Sequence, residues 1–367
     1  MSTASATARS LARAEVRALP LYAPDLAECA VDVSDNTNLW GPPPAARRAL
    51  AAAPDAAIAR YPSLYSAPLR SAVARYLGLS GETKVGVVTG CGSDDVIDST
   101  MRAFGAPGDR IAFSAPTFSM IPTFARLNGL EPVSIPLTER FDVDAEQLVS
   151  LNAKITYLCT PNNPTATALS RAAVEYVAAN ARGVVLLDEA YAEFAPETFV
   201  DLVTRFERLI VTRTFSKAFG LAGLRVGYGA GAAETVAMVE RARGPYKVNA
   251  LAERAVLAAL EESDDALGWV HAHAGLAVEN RERLAAGLRA IGFAPLPSAA
   301  NFVFVPTARA VVVARRMRER GVLVRAFAGL PRNLSVLAES NGEALRIGVG
   351  PWEVMQKVLG TLEEVAE

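Results

Sequence analysis

The almost wholly apolar runs 183–187 (GVVLL) and 209–212 (LIVT) constrain this chain most. A strand with one wet face alternates apolar and polar residues, so a continuous apolar run predicts a strand covered on both faces, as in a parallel sheet. Shorter β-rich runs fall at 84–89, 110–114, 131–135 and 155–159, and helix-sized patterns at 45–53, 66–77 and 93–104 lie among them. The 66–77 stretch puts Leu69, Val73 and Leu77 on one face. Strand and helix in alternation predict a doubly wound α/β domain with a mostly parallel sheet, whose ligands gather at the carboxyl ends of the strands. Beyond about residue 262 the texture changes. A long helix at 269–288, short strands at 302–305, 322–325 and 345–349, and a helix at 311–320 predict a smaller α+β domain. The expected division is an arm and part of the small domain at 1–50, a large domain at 51–265 and a small domain at 266–367.

Composition removes several function classes. Of 367 residues, 37 are Lys or Arg and 39 are Asp or Glu, so a net charge of −2 provides no field for nucleic acid. No apolar run reaches the ~18 residues that cross a bilayer. The first 22 residues lack an apolar signal core, so a soluble, cytoplasmic protein without membrane partners is expected. Cys29, Cys91 and Cys159 are widely spaced and odd in number, which predicts small buried thiols rather than disulfides or a zinc site. His271 and His273 stand two apart in a helical stretch and do not face each other, so they are read as ordinary helix residues and no metal is expected.

Four motifs carry chemistry. The apolar strand at 183–187 runs into Asp188-Glu189-Ala190-Tyr191, an acidic strand end like that of an ATPase. No Gly-Lys dipeptide exists to complete a phosphate loop, and neither Gly90-Cys91-Gly92 nor the 227–231 glycines have dinucleotide-binding spacing. Asp188 therefore needs a cation or strong donors of another kind. The strand at 209–212 leads into Arg213-Thr214-Phe215-Ser216-Lys217, with Arg225 eight residues on. A lysine held among apolar groups has a lowered pKa and becomes a nucleophile able to form a Schiff base. Alone it reads as a snorkelling surface lysine; bracketed by Thr214, Ser216 and Arg225 it sits beside groups suited to a phosphate. Two prolines make Thr160-Pro161-Asn162-Asn163-Pro164 a rigid turn that fixes the Asn163 amide. Gly92, Ser93 and Asp94 open a helix after a strand, where backbone N–H groups bind anions.

In this order, PNNP, DEAY and RTFSKAFGLAGLRVG, with the terminal NFVFV, VLVRAF and LRIGVG, resemble the fold-type I pyridoxal-phosphate aminotransferases. The closer likeness is to the histidinol-phosphate aminotransferases and their aromatic-aminotransferase relatives, from about residue 22 to the end. The resemblance implies that Lys217 carries the cofactor covalently and later shuttles the substrate's Cα proton. It implies that Asp188 holds the pyridinium nitrogen protonated, making the ring an electron sink. Tyr191 and Asn163 match groups that hydrogen-bond the ring's phenolic oxygen. Gly92, Ser93 and Asp94 with Thr214, Ser216 and Arg225 match the phosphate cup, and Phe118 the aromatic that stacks on the ring. Tyr61 matches a tyrosine reaching the neighbouring subunit's phosphate, which implies a homodimer with shared sites. Arg346 matches the arginine for the substrate's acidic group; Arg325 and Tyr22 match residues that join it around a substrate phosphate. For Arg325 a surface salt bridge is the plainer reading. Tyr246 and Asn249 resemble a pocket-lining segment, or are plain helix-start packing.

Two departures bear on substrate. Ala166 stands where the family usually has Gly, so a turn that needs φ > 0 costs on the order of 1 kcal/mol or takes another form. Trp40, in Asp35-Asn36-Thr37-Asn38-Leu39-Trp40, narrows the pocket entrance or merely packs. The function expected is amino transfer between histidinol phosphate and 2-oxoglutarate. Alternatives are an aromatic amino-acid aminotransferase, a decarboxylase of a phosphorylated amino acid, and a cofactor-binding module without turnover. The joint presence of Lys217, Asp188 and Arg346 argues against the last.

Overall fold

The computed structural model describes residues 11–21 and 28–365. Its strands are β1 (Val31–Asp32), β2 (Val85–Gly90), β3 (Arg110–Ala115), β4 (Glu131–Pro136), β5 (Ile155–Cys159), β6 (Val184–Asp188), β7 (Leu209–Thr214), β8 (Gly227–Ala232), β9 (Phe302–Pro306), β10 (Val322–Leu323), β11 (Arg325–Phe327) and β12 (Ala344–Gly348). Seven form one sheet in the order β2-β8-β7-β6-β5-β3-β4, all running the same way except β8, which is antiparallel to both neighbours. Strands β5 to β8 are buried almost throughout, as their apolar composition demands. From β3 the chain goes outward to β4 and then returns to the other side at β5. The carboxyl ends of β3 and β5 thus flank the topological switch point.

Register aligns the strand ends. Cys159 pairs with Asp188, and Asp188 with Thr212, so β7 projects Arg213 and Thr214 beyond that line. Five of the segments at this edge reach one crevice. These are the turn from β2 into helix Ser93–Phe104, the Pro116–Phe118 stretch after β3, Thr160 to Asn163 after β5, Tyr191 after β6 and Lys217 after β7.

Strand β8 is the fold's departure from expectation, since the 227–231 glycines read only as a failed nucleotide loop. Glycine is poor in strands in general but is required here. A Cβ on Gly227 would lie 2.1 Å from the Ser93 nitrogen, and one on Gly229 2.9 Å from Val96 Cγ1. The bare strand lets helix Ser93–Phe104 press its first turn onto the sheet.

A second sheet, β11-β12-β9, is antiparallel, and β1 pairs in parallel with β10. The single strand expected at 322–325 is in fact two: the chain leaves β1 after Leu323 and joins β12 at Arg325. Helices Leu267–Ala290 and Trp352–Val365 pack with this region. The cysteine expectation is corrected: Cys159 is buried, Cys29 half-buried, and Cys91 exposed in the tight turn after β2. His273 stacks on Trp269, ring centroids 3.9 Å apart. Among the described residues no group of three His, Cys, Asp or Glu is set to hold a metal, and no helix is long and apolar enough to cross a membrane.

Candidate active site

A cavity of about 520 Å³ opens at the carboxyl edge of the large sheet and extends to β11 and β12. Asp188 and Lys217 both line it, as do Ser93, Asp94, Phe118, Asn163, Tyr191, Thr214, Ser216, Arg225, Arg325 and Arg346. Residues spread over more than 250 positions meet here because the large sheet delivers most of them to one edge and β11 and β12 of the second sheet face it with Arg325 and Arg346.

Asp188, 4 % exposed, ends the central strand β6. Its Oδ2 accepts from the Tyr157 hydroxyl at 2.9 Å and its Oδ1 from the Ala190 N–H at 3.1 Å. Burial pushes its pKa up to about 7, against those two donors and with help from the Asp94 and Glu189 charges. Lys217 Nζ donates to the Asp35 carbonyl at 3.1 Å and lies 5.7 Å from the Tyr191 ring centroid. Burial, then the Arg346 cation, brings its pKa down to about 8, outweighing Asp35 and Asp94.

These shifts fix a sign for the cofactor-free chain. Asp188 holds its proton to a higher pH folded than unfolded, so its contribution is full below the ordinary value of 3.8 and is lost as pH rises towards about 7. Lys217 has the opposite effect, restoring stability from about pH 8 towards its ordinary 10.5. Urea titrations of cofactor-free protein should therefore show Asp188→Asn flattening the decline between pH 4 and 7; an unchanged slope would contradict a buried, protonated Asp188.

An anion cup lies across the cavity. The first N–H groups of helix Ser93–Phe104 have no intrahelical acceptor. The Thr214 hydroxyl donates to Ser216 Oγ at 2.9 Å, and Arg225 Nη1 reaches Ser216 Oγ at 3.4 Å. Gly92 has φ +80°, and a Cβ there would meet Arg225 Nη2 at 2.7 Å, so its part is to admit the guanidinium. The Asp94 carboxylate pairs with Arg225 at 3.4 Å, which leaves its backbone N–H as what it offers an anion. Asp95 staples the turn by accepting from the Cys91 N–H and from Lys247.

Arg346 reaches Asn163 Oδ1 with Nη1 at 2.8 Å and the Ser34 carbonyl with Nη2 at 2.6 Å, between the Phe302 and Phe327 rings. Because Arg346 takes the Asn163 oxygen, the amide nitrogen is left for a different acceptor. Arg325 lies directly opposite Arg346 in the β11–β12 register, and no carboxylate of the described residues pairs with Arg325. Facing like charges cost stability unless an anion joins them.

Other expected residues fall elsewhere. Tyr61 is 83 % exposed, outside this chain's own cavity, and stacks on Tyr246 with centroids 4.8 Å apart. Asn249 caps helix Ala250–Ala259 by accepting from the Ala252 N–H, and neither it nor Tyr246 lines this chain's own cavity. Tyr22 lies outside the described residues. Trp40 packs on the core and edge-on to His273, away from the cavity. Ala166 has φ +63°, so the turn keeps the left-handed form usually given to glycine, and its buried methyl offsets part of the strain.

Several site residues were not legible beforehand. Tyr157 reads as a core aromatic within an apolar strand. Ser34, Asp35 and Asn36 belong to no motif of the sequence, though their carbonyls hold Arg346, Lys217 and Asn301. Asn162 anchors the 160–165 turn through Thr117, Pro116 and Thr165, while Glu189 is engaged by buried Arg213.

The donor set fits pyridoxal phosphate: a cup for a dianion, a buried carboxylate for a ring nitrogen, an amine for an aldehyde and Phe118 for a ring face. Fold and site thus define a pyridoxal-phosphate-dependent transaminase of fold type I. The sequence profile of the aminotransferase class I and II family matches residues 29–362, and the chain belongs to that family. It is 39 % identical to a histidinol-phosphate aminotransferase of Roseiflexus castenholzii over 92 % of this chain and 90 % of that protein. It is 35 % identical to an aromatic amino acid aminotransferase of Corynebacterium glutamicum over 94 % and 98 %. Among solved structures, the histidinol-phosphate aminotransferase of Sinorhizobium meliloti in complex with pyridoxal 5′-phosphate superposes with a TM-score of 0.81 at 25 % identity, covering 98 % of both chains.

Proposed function

We propose that this chain transfers the amino group of histidinol phosphate to 2-oxoglutarate, as a cytoplasmic homodimer. The observation that carries the substrate is the pair Arg325 and Arg346, opposed across β11–β12 on the cavity wall. Two guanidinium groups that repel each other suit the phosphate of the amine, and Arg346 suits equally the carboxylate of the oxo acid. The naming of several relatives as histidinol-phosphate aminotransferases supports this reading. A division at 1–50, 51–265 and 266–367 accords with it, the large domain holding the cofactor and the small one the substrate's anion. Exposed Tyr61 would serve the partner subunit's phosphate cup.

When bound, pyridoxal phosphate supplies an aldehyde for the amine and a protonated ring that accepts the electrons of the Cα–H bond. The chain's own residues do the rest. Ser93 and Asp94 N–H groups, Thr214, Ser216 and Arg225 hold the phosphate end, and Phe118 covers a ring face. Asp188 keeps the ring nitrogen protonated. Asn163 Nδ2 and the Tyr191 hydroxyl point donors at the ring oxygen. Lys217, its pKa lowered by burial and by the nearby Arg346 cation, is placed to take and return the substrate's Cα proton.

A second reading, aromatic amino-acid transamination, is favoured by the Phe118, Phe124 and Phe327 side chains on the wall. Arg325→Ala separates the two. Loss of charge-assisted bonds to a phosphate should lower kcat/KM for histidinol phosphate about 10- to 100-fold while phenylalanine changes less than about threefold. Equal losses for both substrates would favour the aromatic reading.

A further inference from the structure

Asn36 has no assigned part in the chemistry, yet it is built into the cavity wall. It is 1 % exposed, with φ +59°, a left-handed conformation that asparagine adopts more readily than most residues. Its carbonyl accepts from Asn301 Nδ2 at 3.0 Å, and its Nδ2 donates to the Tyr191 hydroxyl oxygen at 3.2 Å. Its Oδ1 is buried without a partner. As it stands, Nδ2 satisfies one of its two N–H groups on Tyr191 and Oδ1 lacks a donor. Reversed, both N–H groups would face the place where that oxygen sits, and an unmatched buried donor is rarer than an unmatched carbonyl oxygen. The amide therefore keeps its nitrogen on the Tyr191 hydroxyl.

The Tyr191 ring itself is held by packing. It is buried and meets Phe302 edge-on with centroids 5.1 Å apart. Charged or titratable groups near it are Lys217, Arg346, Asp188 and the Cys159 thiol, and Asn36 is its hydrogen-bond partner. What stays free is rotation of the O–H bond. A hydroxyl oxygen occupied by an incoming N–H must send its own hydrogen elsewhere, and the cavity is the open direction.

We infer that Asn36 is a positioning residue that aims the Tyr191 hydroxyl hydrogen at the anionic ring oxygen of the cofactor. Asn36 acts through Tyr191 and touches no reacting atom. The inference rests on the cofactor being held by Lys217. A donor on the ring oxygen stabilises its anionic form, so the proton shared between that oxygen and the lysine nitrogen leaves at lower pH. Losing the donor raises that pKa.

The test is a pH titration of the visible absorbance band of the holoprotein in a double-mutant cycle. Tyr191→Phe should raise the band's pKa by about one unit. Asn36→Gly, which keeps the left-handed backbone without strain, should raise it by at least half as much. Added to Tyr191→Phe it should move the pKa no further, because the hydroxyl it aims is gone. Asn36→Asp, similar in shape, offers an acceptor that draws the O–H away from the cavity and should shift the band in the same direction by more than its charge alone does in the Tyr191→Phe background. It answers the question if the glycine variant folds poorly. An unmoved band in both Asn36 variants, or a full Asn36→Gly shift that persists in the Tyr191→Phe background, overturns the inference. A wild-type holoprotein with no titrating band overturns the cofactor reading as well, which tells the two failures apart.

Discussion

Lys217→Ala is expected to lower turnover on the order of 10⁴-fold or more, because one amine both anchors the cofactor and moves the substrate's proton. Both proposed tasks call for a neutral amine, which burial of Lys217 favours. With its pKa brought down to about 8, roughly a quarter of the amine is neutral at pH 7.5, against about one part in a thousand for a solvated lysine. Borohydride treatment of wild-type holoprotein, followed by digestion and mass spectrometry, should place the reduced cofactor on the peptide containing Lys217. The variant should carry no such label and keep no band that bleaches under borohydride. A bleachable band in Lys217→Ala would assign the covalent link to a different amine.

Asp188→Asn is expected to slow the first half-reaction on the order of 10²–10³-fold while the fold and the Lys217-bound band survive. An amide has the same shape and still accepts from Tyr157, but it carries no charge to hold a proton on the ring nitrogen. Burial, helped by the Asp94 and Glu189 charges, raises the wild-type carboxyl's pKa to about 7. A cationic ring beside it would favour the ionised form, so cofactor binding and Asp188 ionisation support each other. Stopped-flow measurement with a single equivalent of amino donor reads this step directly. Near-normal rates would remove Asp188 from the electron-sink role.

Asp188 was legible because it is a charged residue ending an apolar strand, where nothing but a partner justifies it. Lys217, which follows a second apolar strand and alone reads as a surface lysine, was legible because Thr214, Ser216 and Arg225 bracket it. The doubly wound sheet followed from those same strands. Strand β8 did not, because its glycines answer to the close approach of helix Ser93–Phe104, a contact between segments over 120 residues apart. Tyr157 and Asn36 stayed hidden for a related reason. One is an aromatic in an apolar strand and the other a polar residue in a polar turn, so each suits its local setting and gains its meaning from a distant contact. Trp40 and Asn249 show the converse, residues of suggestive type engaged in packing and capping.

The central claim is that Lys217 and Asp188 hold opposite sides of one pyridine ring. A crystal structure of the chain reconstituted with pyridoxal phosphate measures this most directly. It should show continuous density from Lys217 Nζ to the cofactor and an Asp188 carboxylate oxygen within about 3 Å of the ring nitrogen. A cofactor joined to a different lysine, or a ring nitrogen facing away from Asp188, would contradict it.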